Sequence, residues 1–146
     1  MTDNFQATEG SGKVFRAKDP GDSILRSVVH VDPTTTDGVE TYRNIDTNKT
    51  GNNIKSSAGS VYGGEFFNGH ATEFNYVKLY NNSGTPTSSH TPLRTYRIPP
   101  KGGIAFSKAI GIKFDTGIAV RATTGVADNN NIDPATNDVI VNIDYK

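Results

Sequence analysis

Apolar and polar side chains alternate along this chain mostly at a spacing of two, and no long stretch carries the spacing of an amphipathic helix. The alternation predicts strands. Ser23 to Val31 is one, with Leu25, Val29 and Val31 on one face and Ile24, Arg26, Val28 and His30 on the other. Both faces are partly apolar, which fits a central strand or one covered by a partner. Before it, residues 1–22 carry few apolar side chains and read as an arm, with a short strand at Val14 to Ala17. After it, Thr34 to Asn53 reads as a surface excursion holding a short strand at Val39 to Tyr42. Strands follow at Ile54 to Ser57 and Gly59 to Asn68, where Gly63-Gly64 marks a bulge or a close backbone approach.

Glu73 to Tyr80 places Val77 and Leu79 in the core, with the tyrosines on a covered outer face. Leu93 to Ile98 stops at Pro99-Pro100, and Ile104 to Phe106 is short. From Ile112 to Thr124, Ile112, Phe114, Thr116, Ile118, Val120 and Ala122 share one side, and Gly117 divides the run in two. In Val139 to Tyr145 the residues Val139, Val141, Ile143 and Tyr145 face inward. The pattern predicts an all-β chain: an antiparallel β-sandwich of about eight strands, jelly-roll-like, over residues 23–146, with a short N-terminal arm over 1–22.

Composition sharpens this reading. There are 11 Val and 11 Ile against 3 Leu, and 17 Thr, 14 Asn and 15 Gly. Strands favour the β-branched residues and turns take Gly and Asn, so helix is disfavoured throughout. With 146 residues and only 34% hydrophobic side chains, the chain has one thin core, of the kind an oligomer interface completes. Its 15 basic and 15 acidic residues balance, which argues against nucleic-acid and membrane-surface partners. The start, MTDNFQATEG, lacks a basic segment followed by an apolar one, so no secretory leader is expected. No apolar run approaches the roughly 18 residues of a membrane-spanning helix. The absence of cysteine excludes disulfide scaffolds, thiol catalysis and cysteine zinc sites.

Candidate chemistry is sparse. His30, His70 and His90 lie far apart, without the short spacing that presets two metal ligands. Asp46 to Gly51 resembles the start of a calcium loop, but the twelfth position is Ser57 rather than a bidentate Glu. Asp128, Asn129, Asn130, Asn131 and Asp133 put several oxygens in one loop, a pattern that Asn-rich turns also make without an ion. Asn48-Lys49-Thr50 and Asn81-Asn82-Ser83 match the glycosylation pattern and are expected to be idle. No nucleophile elbow or phosphate loop is present. Without tryptophan, sugar stacking falls to the tyrosines. No catalytic, cofactor-binding or metal-binding residue is assigned, and the chain is expected not to be an enzyme.

Five segments, in order, resemble small structural proteins of tailed bacteriophages: Ser57 to Gly63, Tyr76 to Asn81, Arg97 to Gly103, Gly111 to Ile118 and Asn137 to Asn142. Together they span most of residues 57–146; the part before Ser57 matches less clearly. The resemblance implies a virion protein made in the host bacterial cytoplasm, and carries over no catalytic residue. The expected role is a capsid decoration or cement protein that binds the major capsid protein on the head surface. The alternative is a tail, baseplate or fibre component touching a host glycan. A homotrimer is expected, with Phe74, Tyr76 and Tyr80 in its interface, and with Phe5, Val14 and Phe15 of the arm as capsid contacts.

Overall fold

The computed structural model describes residues 15–17, 26–28 and 38–146. The chain divides into two compact units, Met1–Gly38 and Val39–Lys146. In the first, β1 (Phe15–Ala17) pairs antiparallel with β2 (Arg26–Val28), Phe15 opposite Val28. Of the strand expected over Ser23 to Val31, the described part is β2, and among the described residues its partner is β1.

The second unit holds eight strands: β3 (Glu40–Asn44), β4 (Asn52–Lys55), β5 (Gly59–Asn68), β6 (Asn75–Asn81), β7 (Arg94–Ile98), β8 (Gly102–Phe114), β9 (Ile118–Thr123) and β10 (Val139–Tyr145). They form two four-stranded antiparallel sheets, ordered β3-β10-β5-β8 and β4-β9-β6-β7. First pairs with last, second with next to last, and so inward to the β6–β7 hairpin. That nesting is a long hairpin rolled up on itself, and it makes the unit an eight-stranded jelly roll.

The core lies between the sheets. One sheet contributes Val61, Phe66, Phe114, Val139, Val141 and Ile143; the other contributes Val77, Leu79, Ile98, Ile118, Val120 and Ala122. In β10 and β9 these are the inward positions of the period-two pattern. Phe66 and Phe106 of one sheet meet Tyr96 of the other, with ring centroids 5.0–5.8 Å apart. The aromatic trio therefore joins the two layers at one end.

Two departures from strict alternation shape the first sheet. In β5, Val61 is buried at an odd position but Phe66 and Asn68 at even ones. Tyr62 is the extra residue between the Tyr145–Val61 and Asp144–Gly63 pairs, and one extra residue reverses which side faces the core. Strand β8 is a single strand of 13 residues, where short separate strands were expected. Its register with β5 jumps between Gly63–Ser107 and Val61–Ile112, so Lys108 to Gly111 bulge out opposite Tyr62. Gly117 does divide β8 from β9. A Cβ there would lie 2.6–2.7 Å from Asn82 O, Lys55 O and Ser83 Cα, all backbone atoms.

Candidate contact surface

The outer faces of the two sheets differ. On the β4-β9-β6-β7 sheet, the outward residues of β6 and β9 are themselves buried: Lys78, Tyr80, Ala119, Arg121 and Thr123 are at most 1% exposed. The cover comes from the chain's own loops. Arg121 Nε donates to Lys49 O at 2.6 Å and Nη2 to Asn131 Oδ1 at 2.9 Å, tying the β3–β4 and β9–β10 loops to one strand. Lys78 Nζ, on the neighbouring strand, donates to Ala127 O. Lys49 Nζ sits 3.5 Å from Asp133 Oδ2 and clips the two loops together. Gly51 makes the approach possible. Its φ of 73° favours glycine, and a Cβ would lie 2.5 Å from Arg121 Cγ.

This arrangement accounts for the covered tyrosine face without a partner. Tyr80, expected at an oligomer interface, is 1% exposed within its own chain and offers no surface to a second copy. Phe74 and Tyr76 stay nearer the surface. Phe74 is 36% exposed, and the Arg97 guanidinium stacks 3.6 Å from its ring centroid. Of the expected arm contacts, Phe15 opens β1, whereas Phe5 and Val14 lie outside the described residues. Burial raises the Tyr80 phenol pKa, and the Arg121 charge opposes the rise.

Lys78 is a buried cation beside a second one. Burial first, then the Arg121 charge, lower its pKa from the ordinary 10.5, while Asp128 acts the other way. A lysine so shifted binds fewer protons folded than unfolded between its lowered value and 10.5. Its charge therefore weighs fully on stability below that window, and the weight lifts as pH rises through it. The stability of the native protein relative to Lys78→Met should grow as pH rises through that window toward 10.5. Urea titrations of both proteins measure this. A native protein that loses stability relative to Lys78→Met as pH rises through this window would refute the assignment.

Several side-chain oxygens of the two loops considered for calcium are engaged in hydrogen bonds. Asp46 Oδ1 accepts from Asn137 N, Asn48 Oδ1 from Thr50 N, and Asp133 Oδ1 from Lys49 N. Asn130 Oδ1 accepts from the Gly125 and Ile132 amides. His70 and His90 each accept backbone N–H groups at Nδ1 and close local turns. Among the described residues, no group of three His, Cys, Asp or Glu is placed to hold a metal ion.

The outer face of the β3-β10-β5-β8 sheet carries the candidate site. Glu65 and Phe67 of β5 stand between Ile140 and Asn142 of β10 and Gly103 and Ala105 of β8. The small β8 residues leave a depression of about 370 Å³ beside the Phe67 ring. Phe67 is 41% exposed there, large for an aromatic side chain on a sheet face. At the edge of the same sheet, the β8 bulge carries Ile110 at 91% exposure. What this face offers chemically is apolar contact rimmed by a carboxylate and an amide. Sequence reading passed over Phe67, Glu65 and Ile110. The signal available was the Gly-x-Ala spacing of β8 opposite Phe67, and it becomes legible only once the pairing of β5 with β8 is known.

Comparison of the chain with protein-family models, with curated proteins and with solved structures returns no match.

Proposed function

We propose that this chain is a bacteriophage virion structural protein that acts by binding rather than turnover, decorating and stabilising the outer surface of the head through contact with the major capsid protein. The observation that carries the reading is where the five phage-like segments fall. Ser57 to Gly63 enters β5, Tyr76 to Asn81 is β6, Arg97 to Gly103 is the β7–β8 turn, Gly111 to Ile118 is the β8–β9 turn, and Asn137 to Asn142 enters β10. All five lie within the jelly-roll unit, residues 39–146.

The mechanism is additive burial. An exposed apolar side chain such as Ile110 or Phe67 contributes about 1.5–3 kcal/mol when fully covered by a neighbour. Such contacts are weak singly, but many copies arrayed on one shell hold it through avidity. The arm residues Phe5, Val14 and Phe15 would add capsid contacts of the same kind.

Two measurements test this. Gold-labelled protein should be found on the heads of phage particles by electron microscopy. Labelling of the tail would replace the reading with the tail-component alternative, and labelling of neither would end both. Deleting residues 2–12 should leave the folded protein intact and weaken its binding to capsids. Unchanged affinity would make the arm a bystander.

A further inference from the structure

We propose that the β8 bulge of one copy of this chain docks into the Phe67 depression of a second copy, with Ile110 as the inserted side chain and Lys108 reaching Glu65 across the contact. The proposal stands apart from the virion reading and concerns self-association alone.

The bulge is a built feature rather than a frayed edge. Four residues, Lys108 to Gly111, stand against the single Tyr62 of β5, and both flanking registers are regular. Gly111 lies against the Tyr62 ring, where a Cβ would come within 3.1 Å of Cε1. A bulge on an edge strand ordinarily protects that edge from pairing, usually with charge at its tip. Here the tip instead presents isoleucine, 91% exposed, the most exposed large apolar side chain among the described residues.

The depression matches it in kind and in charge. Its volume of about 370 Å³ exceeds that of an isoleucine side chain, and its outer-face lining includes Phe67, Ile140, Gly103 and Ala105. Glu65 lines the depression, and Lys108 stands two residues from Ile110 on the bulge. Among the described residues neither Lys108 nor Glu65 makes an ion pair. A positive knob and a negative socket, neither in an ion pair among the described residues, are complementary between copies. Within one copy Ile110 lies five residues beyond Ala105 on β8 and is 91% exposed rather than seated in the depression. A surface feature complementary to another on the same chain is met in trans.

The test uses the full chain and two variants at exposed positions, where folding is little affected. Ile110→Asp removes the knob, and Ala105→Trp fills the socket. The native protein should associate, as read by sedimentation velocity at concentrations up to about 100 µM. Each variant alone should lose association at least tenfold, with an unchanged melting temperature. Mixing the two variants should restore a complex of two chains, since one holds an intact socket and the other an intact knob. Lys108→Glu and Glu65→Lys should each weaken association, and the pair combined in one chain should recover it. A monomeric native protein overturns the proposal. So does a variant that keeps native mass, or a mixture that stays monomeric.

Discussion

Phe66→Ala should lower the stability of the jelly-roll unit by about 3–5 kcal/mol, the largest effect expected of a single core change here. Phe66 has no exposed surface, and it packs edge-on against Tyr96, 5.1 Å between centroids, and against Phe106 at 5.8 Å. Truncating it removes the central ring of the trio that joins the sheets. The void it leaves cannot collapse easily, because Tyr96 and Phe106 already stack on one another at 5.0 Å. Phe66→Leu should recover about half of the loss, since it restores volume but not ring contact. Denaturant melts of both variants check this. A Phe66→Ala protein within ~1 kcal/mol of native would mean that the trio is not what couples the layers.

The same residue shows what the sequence could and could not reveal. Ile118, Val120 and Ala122, and Val139, Val141 and Ile143, follow the two-residue period without interruption, and their inward facing was legible from spacing alone. Phe66 and Asn68 lie in a stretch whose period is reversed by the extra residue Tyr62. Gly63-Gly64 announced an irregularity there but not its sense. Strand β8 failed differently. Lys108 to Gly111 is a short run ending in glycine that reads as a break, because a four-residue bulge leaves no periodic trace while the strand resumes beyond it.

The covered outer face is the other instructive case. Tyr76, Lys78 and Tyr80 alternate with Val77 and Leu79, so sequence showed that two faces needed cover. It could not show that the second cover is the chain's own β9–β10 loop. That loop is rich in Asn and Asp and carries no apolar stripe to mark it as a lid. It is held by polar bonds from Arg121 and Lys78, and in sequence a buried arginine looks like any exposed one. The features of the candidate contact surface were least legible of all. Phe67 and Ile110 are single apolar residues whose exposure depends on strand pairing and a bulge.

Arg121→Ala should cost about 3 kcal/mol and loosen two loops at once. Two hydrogen bonds from a charged donor are lost, each worth ~1.5–3 kcal/mol. The partners are the Lys49 carbonyl and the Asn131 amide oxygen. Against this stands the cost of burying a guanidinium that, among the described residues, has no carboxylate within ion-pair distance and has Lys78 on the next strand. Arg121→Met decides which effect wins, because it keeps most of the volume and supplies neither donor nor charge. If the bonds dominate, Met should be almost as unstable as Ala, and amide exchange should accelerate in residues 46–51 and 124–138 while β9 and β10 stay protected. If desolvation dominates, Met should equal or exceed the native protein. The bonds are expected to win. The lost partners sit in loops with little apolar surface of their own, and nothing else on the strand can reach both Lys49 and Asn131.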